Sequence, residues 1–191
     1  LIERSTAEAI TLIKGGNSIP LPTDETLGFL SLGEADGTAF FKELEKELVL
    51  KVLPFSGDTA TTLKAAKGVS TIVVGFHRSN ESPWKASDFS KDELRLLNSL
   101  NKEHQLVLVP FVKPYALSKL SSLEDFSIVL MAYQNTFEAQ RTAAKMLLGK
   151  QEIKGKLPVS VNAYYPVGHG EILTHNDLPL ENHTAFAAGM D

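Results

Sequence analysis

His77, Arg78, Glu81 and Trp84 fall within one short stretch, followed by Asp88, Asp92 and Glu93. Imidazoles, carboxylates and an indole are the groups that handle protons and sugar rings. Hydrolysis of a glycosidic bond needs two carboxylates about 5–9.5 Å apart. Asp92 and Glu93 are better explained by Ser90, because Ser-Lys-Asp-Glu is a capping-box pattern and acidic residues suit a helix start. Glu81 and Asp88 could reach a sugar, but the sequence identifies no partner for either. Trp84, the single tryptophan, either stacks on a sugar ring or anchors its own loop. His77 is placed to take part in a shared cleft or to serve as a structural hydrogen bonder.

Other chemistries find less support. Gly33–Thr38 carries two carboxylates, Glu34 and Asp36, where a phosphate cradle needs free amides and a positive field, so flavin and nucleotide binding are disfavoured. A response-regulator receiver would need an acceptor aspartate where Gly75-Phe76-His77 stands, and Lys113-Pro114 alone does not replace it. No G-x-S-x-G elbow occurs. The histidines, His77, His104, His169, His175 and His183, lack metal-ligand spacing, and His104 reads as a surface residue at a helix end. No metal or cofactor is expected. The chain has no cysteine, which removes disulfides and thiolate ligands and fits an oxidising compartment. A net charge of −4 argues against nucleic acid or an anionic membrane surface as partner. No apolar run approaches the roughly 18 residues of a membrane span. The start at Leu1-Ile2-Glu3, without methionine or signal peptide, suggests an excised fragment.

The elements that must hold these residues alternate. Ser5-Thr6-Ala7-Glu8 predicts a capped helix continuing through Ala9, Ile10, Leu12 and Ile13 to Gly15-Gly16, then an extended arm over 17–22. Strands are expected at Leu27–Leu32, Val49–Phe55, Val69–Phe76, Gln105–Pro110 and Ser127–Ala132. Val69–Phe76 is the strongest, being rich in β-branched residues. Helices are expected over Thr38–Glu47, from Asp58 to Lys67, from Ser90 through Leu100, and briefly after Lys113. A further helix follows Thr136 as N-cap, with Gly149 as left-handed C-cap. Gly155-Lys156-Leu157-Pro158 then enters a last strand to Val161, and the turn reads as structural because a phosphate loop would open a helix. Strand–helix–strand units of this kind make parallel sheets covered on both faces. The expected fold is a flavodoxin-like three-layer α/β/α sandwich with a mainly parallel sheet of five or six strands. The divisions are 1–22, helix and arm; 23–161, the sandwich; and 162–191, an extended arm or linker.

Several stretches, in order, resemble the C-terminal domain of glycoside hydrolase family 3. They are Ala9–Lys14 with Ile19-Pro20-Leu21, Val73-Val74-Gly75, Pro114-Tyr115-Ala116-Leu117, Glu138-Ala139-Gln140 through Gly149, and Gly155-Lys156-Leu157-Pro158-Val159-Ser160-Val161. The resemblance runs from about Ser5 to Gly170 and is nearer to the β-N-acetylglucosaminidase branch. β-Glucosidases carry a glutamate-rich acid/base loop in this domain, and His77-Arg78-Ser79-Asn80-Glu81-Ser82 departs from it. In the glucosaminidase branch the nucleophile and acid/base belong to an N-terminal TIM barrel. The resemblance therefore implies a domain with no catalytic residue of its own, partnered by that barrel and a carbohydrate substrate, with His77, Arg78, Glu81 and Trp84 as substrate-binding candidates. The stretch from Leu178-Pro179-Leu180 to Gly189-Met190-Asp191 resembles a junction to a serine-hydrolase-like domain. The resemblance also implies an exported protein, periplasmic or extracellular. The alternative from another class is an independent flavodoxin-like module that binds a sugar or small ligand without catalysis.

Overall fold

The computed structural model describes residues 2–80 and 88–178. Its sheet is built around β4 (Thr71–His77), in which every residue is buried. A strand apolar on both faces needs cover on both sides, and the neighbouring elements supply it. Parallel to β4 lie β2 (Thr26–Leu32) on one side and β5 (Gln105–Phe111) on the other. Beyond β2 is β3 (Val49–Val52), and beyond β5 is β6 (Ile128–Met131), again parallel. A final strand, β1 (Thr11–Lys14), runs antiparallel to β6, giving the order β1-β6-β5-β4-β2-β3.

Helices α1 (Ile2–Ala9), α2 (Thr38–Leu44) and α5 (Phe137–Leu147) lie on one face, with α2 and α1 both against α5. Helices α3 (Thr59–Ala65) and α4 (Lys91–Leu100) pack together on the other. Each face has its own core. Phe40, Leu44, Val73, Val109, Ala143 and Leu147 belong to the first, and Val74, Phe76, Leu96, Leu100 and Leu108 to the second. Adjacent residues of β4 thus serve opposite cores, as the two-residue period of a strand requires. The three-layer, mainly parallel sandwich expected from the sequence is the architecture observed.

Local signals explain the helix boundaries. Ser90 Oγ accepts from Glu93 N at 3.2 Å and Glu93 Oε2 accepts from Ser90 N at 2.7 Å, completing the predicted capping box of α4. Thr136 Oγ1 accepts from Ala139 N at 3.1 Å, and Gly149 ends α5 with φ +71°. Three expectations fail. Ser5 caps no helix, because α1 already runs from Ile2 to Ala9 and holds Ser5 within it. Residues Thr11–Lys14 form β1 rather than the end of a helix, because pairing with Leu130 and Met131 satisfies their backbone and buries Leu12 and Ile13. Residues 159–161 form no strand. The free side of β6, where such a strand would pair, is already taken by β1. The chain turns back instead, with Leu157 N donating to His169 O at 2.8 Å and Val161 N to Tyr165 O at 2.9 Å. Lys156 donates to Gly170 O at 2.6 Å, so this turn is structural, as its sequence suggests.

Candidate functional site

From β2 the chain moves outward to β3, then crosses back to form β4 on the opposite side of β2. Ligands of such sheets are met at this reversal, beyond the carboxyl ends of the strands. The residues there are Gly33–Gly37 after β2, His77 and Arg78 at the end of β4, and Tyr133–Asn135 after β6.

The two loops are in backbone contact. Ala35 N donates to His77 O at 3.2 Å, and a Cβ on Gly33 would stand 1.8 Å from that same oxygen. Gly33 also has φ +89°, which suits glycine. Only this residue type allows β2 to pass so close to β4. Arg78 joins the loops electrostatically. Its Nη1 lies 2.9 Å from Glu34 Oε2, its Nη2 2.8 Å from Glu93 Oε2 and 3.1 Å from Asp88 O. The guanidinium sits 4.9 Å above the Phe76 ring, which stacks on Phe89 at 3.9 Å. Every one of these contacts fixes Arg78 in place.

His77 points the other way, into the first core, and is fully buried. Its ring stacks on Phe111 at 4.5 Å with an 11° interplanar angle. Nδ1 is 2.7 Å from Asn135 Oδ1. Asn135 Nδ2 donates to Asp36 O at 3.0 Å, and Asn135 Oδ1 accepts from Gln140 Nε2 at 3.0 Å. Gln140 also donates to Asp36 O at 2.9 Å and accepts from Phe40 N at 3.1 Å. A buried polar network thus ties the β2–α2 loop to β4 and α5. Because each member is committed, removing one leaves unsatisfied donors. Asn135→Ala is expected to cost about 2 kcal/mol, seen as a thermal midpoint roughly 6 °C lower. An unchanged midpoint would show the network to be dispensable.

Ionisation follows from these contacts. Burial pushes the Glu34 carboxyl up, but the Ser79 amide and Arg78 guanidinium outweigh it and hold it below its usual range. The Thr38 hydroxyl and amide hold Asp36 low as well. Both carboxylates are therefore charged near neutrality and are unsuited to donate a proton to a leaving group. His77 is held down to about 4, chiefly by burial, against the opposing effects of Asn135 and Asp36, so its ring is neutral at pH 7. Among the described residues no cluster of three or more metal-ligating side chains occurs. Beside the loop, Phe29, Phe41, Val52, Asp36 and Thr38 border an open hollow of about 320 Å³. A groove of about 460 Å³ between α1 and α5 presents charges already paired, such as Arg141 with Glu43 and Lys154 with Glu152.

Of the four residues singled out from the sequence, His77 and Arg78 stand side by side at the reversal, facing opposite ways. Glu81 and Trp84 lie outside the described residues. Asn135, Gln140 and the cross-sheet role of Glu93 were not foreseen. Asn135 was within reach, since it follows a buried strand at the same end of the sheet as His77. His104, expected at the surface, is half-buried and bonds Val69 O through Nδ1 at 2.8 Å.

The fold is one that glycoside hydrolases contain. The structure is similar to a glycoside hydrolase family 3 β-N-acetylglucosaminidase from Paenibacillus sp., with TM-score 0.66 and 18% identity over 84% of this chain and 32% of that one. A family 3 exo-β-xylosidase, solved with a xylobiose aziridine probe, matches with TM-score 0.69 and 13% identity over 90% of this chain and 31% of its own. A fungal multi-domain family 3 β-N-acetylglucosaminidase matches with TM-score 0.65 and 17% identity, over 99% of this chain and 23% of that one. The chain thus spans 23–32% of the length of these enzymes. The sequence matches no protein-family model and no curated protein.

Proposed function

We propose that this chain is the accessory C-terminal α/β domain of a glycoside hydrolase of family 3, of the β-N-acetylglucosaminidase type, acting in carbohydrate or cell-wall glycan breakdown. The observation that carries the reading is the fold match over most of this chain but about a third of each hydrolase. The ordered sequence motifs support the same family, and the ionised state of Glu34 and Asp36 is what a domain without its own general acid would have. The remaining chain would supply a catalytic TIM barrel, against which the loops at the carboxyl ends of the strands would pack. His77 and Arg78 would shape that face, with Glu81 and Trp84 nearest the sugar. A serine-hydrolase-like domain beyond the C-terminal arm and an exported location belong to the same reading.

The expected result is no turnover of a chromogenic β-N-acetylglucosaminide by the 191-residue chain and robust turnover by the full-length natural protein. Turnover by this chain alone would overturn the proposal. A second reading, an independent sugar-binding module, draws on the open hollow bordered by Phe29 and Phe41, since aromatic faces beside a carboxylate suit a sugar ring. It requires calorimetric binding of N-acetylglucosamine by the isolated chain, which the accessory-domain reading does not.

A further inference from the structure

His77 Nε2 is a buried ring nitrogen with no hydrogen-bond partner among the described residues. The surrounding amides define its state. Asn135 turns its oxygen to Nδ1, because its nitrogen is occupied by Asp36 O and its oxygen also receives Gln140 Nε2. Nδ1 therefore carries the hydrogen, and Nε2 holds a bare lone pair. That lone pair faces the backbone of the loop and of β4. A Cβ on Gly37 would stand 2.3 Å from Nε2, and one on Gly75 would stand 2.5 Å from it. The fit is tight and, among the described residues, contains no acceptor for a second ring proton.

We propose that His77 is an acid-operated latch, in which protonation of Nε2 releases the β2–α2 loop, residues 33–38, and opens the carboxyl end of the sheet at its reversal. This goes beyond the hydrolase reading and does not depend on it. A protonated Nε2 must find an acceptor or water, and Gly37 lies in the way. The loop is the movable part. It is held at this point by Ala35 N on His77 O and by the bonds of Asn135 and Gln140 to Asp36 O. The groups around the ring do not substitute for an acceptor. β5 and α2 contribute the Phe111 and Phe40 rings, and α5 with its preceding loop contributes the neutral amides of Gln140 and Asn135. On the loop, Asp36 attracts the ring proton, but its carboxylate accepts from Thr38 N and Oγ1, and Lys42 acts on it in turn. Arg78, directly after β4, is engaged by Glu34 and Glu93.

The sign follows from linkage. In the closed loop the ring titrates at about 4, and in an open loop it returns to the ordinary imidazole value of 6.5. Opening is then insensitive to pH above about 7, and the open-to-closed ratio rises about 30-fold by pH 5. Amide hydrogen exchange, corrected for its intrinsic pH dependence, reads this directly on the full chain. Segment 33–41 is expected to lose at least about tenfold in protection between pH 7.5 and 5, while β5 keeps its own. In His77→Gln, which cannot gain the proton, segment 33–41 should show the same protection at both pH values. A wild-type segment indifferent to pH, or a variant with the wild-type drop, would overturn the latch. Should the variant fail to fold, NMR titration of the wild type decides. The His77 ring carbons and the amides of Ala35 and Thr38 must then share one midpoint, and separate midpoints reject the coupling.

Discussion

Glu93→Ala is expected to destabilise the fold by about 3 kcal/mol, because it removes one acceptor from three donors in a nearly dry site. Glu93 accepts from Gly33 N at 3.1 Å, Ser90 N at 2.7 Å and Arg78 Nη2 at 2.8 Å, with its side chain only 7% exposed. One carboxylate thus caps α4, pins the loop after β2 and anchors the arginine that ends β4. Without it, a largely buried guanidinium keeps, among the described residues, the hydrogen bonds to Glu34 and Asp88 O. The thermal midpoint should fall by roughly 10 °C. Glu34→Ala is the matched control. It removes the other carboxylate from Arg78, but that side chain is 46% exposed, so solvent can replace it and the loss should stay under about 1 kcal/mol. Equal shifts in the two variants would mean that burial does not distinguish the two ion pairs.

That contrast also marks where sequence reasoning reaches and where it stops. The role of Glu93 as a helix-start charge is legible in Ser90-Lys91-Asp92-Glu93, because a capping box is complete within four residues. Its bond to Gly33, 60 positions earlier, is not. It exists only because β2 and β4 are neighbours at the reversal of the sheet. The strands β4, β5 and β6 were legible for the same local reason, as continuous apolar runs with no polar face to spare. Thr136 and Gly149 likewise announced the ends of α5. Thr11–Lys14 failed because four residues cannot show a period, and what decides their conformation is the free side of β6, far along the chain. The expected strand at 159–161 failed by the same rule in reverse, since its place was already filled. For His77 the position at the end of the strongest strand was readable. Its burial and its bond to Asn135, 58 residues away, required the three-dimensional neighbours.

Ending the chain at Val161 is expected to remove on the order of 5 kcal/mol, a large share of a typical domain's stability, and to promote self-association. The argument lies in what residues 162–178 do for β1, the last strand of the sheet. Leu12 O accepts from Glu171 N at 2.8 Å, Gly16 N donates to Glu171 Oε2 at 2.7 Å, and His169 Nε2 lies 2.7 Å from Ile13 O. Leu173 exchanges two backbone hydrogen bonds with Ile153, both 2.9 Å. Tyr165 is buried against the second core and donates its hydroxyl to Glu124, which also pairs with Lys14 of β1. Burial, reinforced by that carboxylate, pushes the Tyr165 phenol well up, so it stays a donor across the working pH range. Without this segment, β1 would present unpaired backbone and uncovered Leu12 and Ile13 to solvent. Such an edge recruits another strand. Urea unfolding and sedimentation of three chains decide the point, one ending at Val161, one at Leu178 and one at Asp191. Relative to the two longer chains, the chain ending at Val161 should unfold at much lower urea and self-associate. A chain ending at Val161 that unfolds within about 1 kcal/mol of the others would show that β1 is held by β6 alone.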